Sequence, residues 1–284
     1  MLGDILVFAL IWTAIYTLIA LGFSMVFGVA RILNLAHGAF FMVASYLVYF
    51  FVSRWGLGLL PAALAAILFT ALLAVVFYRL LIRPCRDSLT RVLMVTLGLS
   101  MFLQQVMVLL FGPDAKYVPS AMEGGTFILG VRVTNQQILT VAVAAVLIAL
   151  VALFLAKTNL GRIIRAVAQD RDMASMMGIN SEYIFYFVMA FSAALAAAAG
   201  ILVAPFLTVT PSMGQTPILV AFTIVVLGGL GNIPGTLIGA FIVAVIEMST
   251  SYAISPQLKE AFTFLVMVLA LILRPQGILG KGEA

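Results

Sequence analysis

Charge is scarce in this chain. Only 9% of its 284 residues are Asp, Glu, Lys or Arg, 64% are hydrophobic, and the mean hydropathy is +1.24. A soluble domain carries about 25% charged residues, so there is too little polar surface here to coat a water-soluble globule. Most of the surface must face lipid, which makes the chain a polytopic membrane protein. Cysteine and histidine are nearly absent too, with Cys85 and His37 the single examples. One thiol forms no internal disulfide, and without a Cys/His cluster no metal site is expected. Neither H-E-x-x-H nor G-x-x-x-x-G-K-[ST] occurs, and the C-terminal GILGKGEA has the wrong spacing for a phosphate loop. A zinc metalloprotease is therefore unsupported, and neither a catalytic residue nor a nucleotide site is expected in this chain. The formal charge of +5 does not point to nucleic acid. Its basic residues are not interleaved with aromatics; they fall in short loops between apolar segments.

What the chain has is apolar segments of membrane-crossing length. A bilayer core needs about 20 apolar residues per helix, fewer where helices break. Candidate spans are 5–29, 36–52, 59–81, 92–111, 137–156, 183–208, 216–230, 235–250 and 258–273. The N-terminal MLGDILVFAL lacks the basic start of a cleavable signal, so its apolar run is read as the first permanent span. The segments 216–230 and 235–250 are short enough to be half-helices. The expected fold is all-α, one transmembrane domain over 1–284 with about eight to nine membrane helices, short or broken ones included.

Lysine and arginine set the orientation. One loop holds Arg79, Arg83, Arg86 and Arg91, another Lys157, Arg162, Arg165 and Arg171. The positive-inside rule places both in the cytoplasm. Alternation then puts Arg31, Arg274 and Lys281 inside as well, leaving Arg54, Lys116, Arg132 and Lys259 outside. This predicts a periplasmic N-terminus, a cytoplasmic C-terminus and a periplasmic loop over 112–136, in which TFILGVRVT alternates like a small hairpin. NLAHGAFFMVASY and NIPGTLIGAFIVA form a weak internal echo at two inner-face turns, as in repeat-built transporters.

Four stretches carry polar or small residues in places that need a reason. RILNLAHGAF puts Arg31, Asn34, His37 and Gly38 between two spans; Asn34 is read as the cap of the second helix and Gly38 as a point of close approach or bending. His37 is either a hydrogen-bonding anchor or part of an inner gate, since ionisable groups in a membrane are functional suspects. Thr96, Ser100 and Gln104 recur at i, i+4 and i+8, so one helix face either glues helices together or lines a hydrated path. Gly228, Gly229, Gly231, Gly235 and Gly239 crowd around Pro234, giving one point that can unwind and one small-xxx-small pair. Glu247 and Glu260 are carboxylates inside the last two candidate spans.

The loop 157–182 reads as a short amphipathic helix with Ile163, Val167, Ala174 and Met177 on one side, closed by Gly178. It is either an interfacial connector or a helix that docks on a cytoplasmic partner.

GFSMVFGVARILNLAHGAFFMVASY, TLGLS, GRIIRAVAQDRDMASMMGIN, VVLGGLGNIPGTLIGA and LRPQGILG occur in that order. Over nearly the whole chain these stretches resemble the LivH-type permease subunits of branched-chain (hydrophobic) amino-acid ABC importers. The resemblance implies an inner-membrane subunit paired with a second, LivM-like permease. It also implies two cytoplasmic ATPases that carry ATP and Mg, and a periplasmic substrate-binding protein that would meet the outer loop. No cofactor is implied in this chain. The loop 157–182 would couple to the ATPases through Arg162, Arg165, Ala166, Asp170, Ala174, Met177 and Gly178. It departs from the motif of many ABC importers in lacking the early Glu and the late Leu-Pro. The translocation path or gate would draw on Asn34, His37, Gly38, Thr96, Ser100, Gln104, Gly228, Gly229, Gly231 and Glu247. Relatives of this kind also carry urea, short amides and aromatic acids. The rival expectation is an autonomous ion-coupled carrier or channel that uses His37 and Glu247.

Overall fold

The computed structural model describes residues 2–229, 231–274 and 276–279. Lys281, and Pro275 and Gly280 of the LRPQGILG stretch, lie outside them. The described residues form helices α1 (Leu2–Ala30), α2 (His37–Trp55), α3 (Leu59–Phe77), α4 (Leu89–Phe111), α5 (Asn135–Lys157), α6 (Asn159–Gln169), α7 (Arg171–Met176), α8 (Ser181–Val203), α9 (Gln215–Gly228), α10 (Ile233–Ala253) and α11 (Lys259–Leu273). A hairpin of β1 (Gly125–Ile128) and β2 (Val131–Thr134) lies between α4 and α5. Eight helical stretches are long and apolar enough to cross a membrane, and α9 is the short apolar one. At about 1.5 Å per residue, the 14 residues of α9 span about 21 Å of a roughly 30 Å hydrocarbon core. The segment 235–250 is therefore no half-helix: α10 runs 21 residues, because Asn232 caps it by accepting the Gly235 N–H at 3.0 Å and Pro234 sits in its first turn.

Helix ends follow local chemistry. Arg31 closes α1 in the left-handed region at φ 52°, with its N–H on the Phe27 carbonyl. Thr134 and Gln137 form a reciprocal capping box at the start of α5. The predicted hairpin is present, and its two-residue turn, Leu129–Gly130, has both residues at positive φ, the twist that suits tight hairpins. α3 ends in a π turn over Tyr78–Ile82 and a 3-10 turn over Arg83–Cys85 that contains Pro84.

The helix α1 is the central post, packed against α5, α8, α9 and α10. α2 and α3 pack on α8, and α11 lies on α9 and α10. Leu97, Met101, Phe102 and Leu109 of α4, and Leu269 and Ile272 of α11, are exposed, which suits lipid or a partner subunit. The bundle has two unlike ends. Leu2 and the hairpin share one, where Gly3 lies beside Leu129. α6 and α7 occupy the other, and there Ile278 donates to the Leu227 carbonyl at 2.7 Å. That second end carries both basic loops, so the charge asymmetry read along the chain is also an asymmetry in space.

Candidate functional site

The single histidine is a junction. His37 is buried at the first position of α2; its Nε2 lies 3.0 Å from the Ile19 carbonyl of α1, and its Nδ1 lies 3.3 Å from Ser192 Oγ of α8. A carbonyl only accepts, so Nε2 carries the proton and Nδ1 accepts from the serine hydroxyl. The ring packs edge-on against Phe23. Gly22 makes room for it, since a Cβ there would stand 2.8 Å from the Ser192 carbonyl and 3.0 Å from the imidazole. Neither Gly22 nor Ser192 stands out along the chain. Asn34 does not cap α2 as expected. The cap position is Ala36, and the Asn34 side chain instead accepts the Ala36 N–H at 3.1 Å, two residues on. The segment it holds runs back from the end of α1 so that α2 starts level with Gly22, inside the bundle.

Gly38 packs directly on Gly214, each occupying the position that a Cβ on the other would need. This contact joins the start of α2 to the start of α9. Gly228 meets Gly235 in the same way, and a Cβ on Gly239 would reach the Ile224 carbonyl at 2.7 Å. The small-xxx-small pair thus docks α10 on α9. Gly229 and Gly231 take φ 98° and 77°, which lets α9 stop at Gly228, and Gly231 rests against Gly28 of α1.

The polar face of α4 is graded. Thr96 is fully buried: its Oγ1 accepts the Leu35 N–H at 3.2 Å and donates to the Val92 carbonyl at 2.9 Å. It fastens α4 to the segment before α2. Ser100 and Gln104 are half-buried, and Gln104 Oε1 accepts from the Gln215 amide of α9 at 3.2 Å. Next to Gln215, Thr216 donates to the exposed Glu260 carboxylate of α11 at 2.9 Å. One helical turn on, the Thr263 hydroxyl donates to Glu247 Oε1 at 3.1 Å, and Tyr16 donates to its Oε2 at 2.5 Å. Glu247 is wholly buried, and its carboxyl ties α1, α10 and α11 together. Tyr16 is midway along α1, which puts this layer near the middle of the bundle.

The segment expected as one amphipathic helix is two. The chain breaks at Asp170 (φ −149°, ψ 110°), whose carboxylate accepts the Asp172 and Met173 N–H groups, both at 2.9 Å. That bond begins α7 and ends α6. Gly178 then closes α7 at φ 81°: its N–H reaches the Ser175 carbonyl and that of Ile179 reaches Ala174. Gly161 folds α6 back on α5, since a Cβ there would lie 2.5 Å from the Phe154 carbonyl. The inward face is Ile164, Val167 and Ala174, with Ala166 half-buried. Arg162 and Arg165 face out, as does Met177, contrary to its expected place on the apolar side. Met173, Met176 and Met177 are 62%, 83% and 83% exposed.

Beside it lies a cluster that no motif announced. Glu182, in the first turn of α8, pairs with Arg86 at 2.8 Å and Arg83 at 3.0 Å, and accepts from the Tyr78 hydroxyl at 3.3 Å. Burial works against the charge on Arg86, but the Glu182 carboxylate and the Tyr78 hydroxyl together outweigh it and its pKa is raised. The signal for this cluster is the acidic second residue of α8 opposite a basic loop, visible only once α3 and α8 are known to touch.

A family model described as the branched-chain amino acid transport system / permease component matches residues 5–271. The permease protein BraD of the high-affinity branched-chain amino acid transport system of Pseudomonas aeruginosa is 32% identical over 283 residues, spanning 94% of this chain and 92% of BraD. The corresponding LivH of Escherichia coli (strain K12) is 32% identical over 286 residues, with the same coverage of 94% and 92%. Among solved structures, PsaBC from Streptococcus pneumoniae in complex with Fab has a TM-score of 0.55 at 16% identity, covering 96% of this chain and 92% of that one, a likeness of fold alone. With eight long apolar helices among its described residues, this multi-pass protein of the bacterial inner membrane belongs to the family of branched-chain amino acid transport permease components.

Proposed function

We propose that the chain is one permease subunit of an ATP-driven importer for branched-chain or other hydrophobic amino acids, working by alternating access. The observation that carries this reading is the polar layer at the middle of the bundle. Ser100, Gln104, Gln215, Thr216 and Glu260 open toward a surface whose neighbouring side chains are lipid-compatible. Exposed amides and a carboxylate at that depth need a partner that is not lipid. A second permease, LivM-like or a further copy, provides one and leaves a path between the two subunits. The half-length α9, hung on glycine contacts at both ends, is the element best suited to shift as that path opens.

On this reading the end bearing α6 and α7 is cytoplasmic and meets two ATPases, which bind ATP and Mg. The hairpin end, within 112–136, is periplasmic and receives the substrate-binding protein. The relatives named for branched-chain amino acids support that substrate class; the path itself has polar amides that also suit urea, short amides or aromatic acids. The rival, an ion-coupled carrier using His37 and Glu247, fits less well, because both groups are buried and committed to protein hydrogen bonds. Co-reconstitution with its partner ATPases and binding protein tests the proposal. Leucine uptake should require ATP and all components. Uptake by the isolated chain on an ion gradient overturns it.

A further inference from the structure

Helix α3 does not end as an ordinary helix. Its last turn widens into a π turn, Tyr78–Ile82, and the 3-10 turn after it brings Arg83 and Arg86 over the start of α8. π turns inside helices concentrate at functional sites. Both arginines then converge on one carboxylate, Glu182, at 3.0 and 2.8 Å. Tyr78 reaches the same carboxylate, and Arg83 donates to the Tyr186 hydroxyl at 3.4 Å.

The neighbouring ring of Phe185 extends the cluster to the docking segment. Arg86 lies 5.1 Å from its centroid and Arg171, the first residue of α7, lies 5.3 Å from it. Cation–π contacts at this range are attractive. The cluster therefore spans three elements that are separate in sequence: the end of α3, the start of α7 and the first turns of α8. An open cleft of about 450 Å³, lined by Arg171, Asp172, Ser175, Asn180, Ser181 and Glu182 among others, lies on its outer side. Without the Arg171–Phe185 contact, α7 is a six-residue helix held to the bundle mainly by Ala174 and its short connection to α8.

We propose that Glu182, with Arg83 and Arg86, is a positioning residue that makes α8 and the end of α3 move as one body, to which Arg171 joins α7 through the Phe185 ring. A push on α6–α7 is then delivered to the membrane helices rather than lost in the connection. The proposal rests on the reading of the chain as an ATP-driven permease. Its physical content is a rigid joint: a carboxylate with each oxygen held by a different guanidinium, and a phenol beside them, has few alternative geometries.

The test is the ratio of ATP hydrolysed to substrate transported, measured on the complete importer reconstituted in liposomes. Loss of ATP-driven transport in the unaltered importer is a failure of the functional reading, not of this one. With that transport present, Glu182→Gln and Arg86→Gln should each raise the ratio about fivefold or more, while the ATPases still co-purify. Glu182→Asp and Arg86→Lys, which keep the charges, should restore most of the coupling. The double variant Glu182→Gln/Arg86→Gln should be less severe than the sum of the two single ones, because both remove the shared Glu182–Arg86 pair. Two results overturn the proposal. One is an unchanged ratio in Glu182→Gln and Arg86→Gln importers that assemble. The other is a loss of transport, ATP hydrolysis and assembly in equal measure, which marks the cluster as structural.

Discussion

His37 on α2 and Ser192 on α8 share a hydrogen bond 3.3 Å long in a place where neither side chain meets water. With the second ring nitrogen on the Ile19 carbonyl, one imidazole fixes the relative position of three helices. His37→Ala leaves the carbonyl and the hydroxyl buried without this partner, a loss of about 1–3 kcal/mol. The expected outcome is a lower melting temperature in detergent and slower ATP-driven uptake, with the ATPases still bound. Uptake at the normal rate would reduce the junction to a local turn.

The glycine contacts predict a contrast between two residues of the same type. Gly38→Ala must push α2 away from Gly214, since the new methyl falls on a carbonyl oxygen of the facing backbone. Gly98, on α4, has open space where a Cβ would stand, with nothing facing it within 4 Å, so Gly98→Ala gains helix propensity of about 0.5–1 kcal/mol. In the isolated chain, folded yield should collapse for Gly38→Ala and hold or rise for Gly98→Ala. Equal yields would mean that the α2–α9 contact is soft.

Much of this architecture is legible along the chain, and the reasons are physical. Apolar length finds the helices, because every spanning segment must satisfy its backbone internally. Arginine clustering finds the end that bears α6 and α7. The Gly235/Gly239 pair shows itself because close helix approach needs small residues at that spacing. What stays hidden depends on contacts distant in sequence. Glu182 looks like an ordinary acidic residue in the first turn of a helix until Arg83 and Arg86 arrive from 96 and more residues away. Tyr16 and Thr263 are unremarkable until they meet on Glu247. The break at Asp170 is local and is masked for another reason: an apolar period continues across it, while the carboxylate competes for the backbone donors and starts a new helix.

Glu247 separates the two transport readings. Glu247→Gln keeps a carbonyl oxygen able to accept from Tyr16 or Thr263, but it removes any proton or cation chemistry. ATP-driven uptake should survive it, with at most a modest loss of stability. A double-mutant cycle with Tyr16→Phe, read by thermal melting, should give a coupling of about 0.5–3 kcal/mol. Uptake that collapses in Glu247→Gln while the folded fraction is unchanged would favour ion coupling.

The polar layer makes a prediction about rate. Gln104→Leu removes the acceptor for the Gln215 amide and converts one polar contributor of the proposed path into an apolar one. ATPase co-purification and binding-protein docking should be unaffected, because the proposed ATPase and binding-protein surfaces lie at the ends of the bundle. Leucine uptake should fall, and the fall should be larger for a more polar substrate such as a short amide. A normal rate with every substrate would place the path elsewhere.

Asp170 tests whether the two-helix form of the coupling segment matters. Its carboxylate holds the first turn of α7 through the Asp172 and Met173 N–H groups, and α7 holds Met173 and Met176 outward. Asp170→Ala removes the cap, a change of about 1 kcal/mol, whereas Asp170→Asn keeps an oxygen that caps about as well. If α6 and α7 must be separate helices for docking, Asp170→Ala should reduce co-purification of the ATPases several-fold and Asp170→Asn should leave it intact, roughly as 1.4 kcal/mol corresponds to tenfold in binding. Were both variants to lose the ATPases alike, the charge of Asp170 rather than its cap would be the feature that the partner reads; were both to keep them, neither would matter for docking.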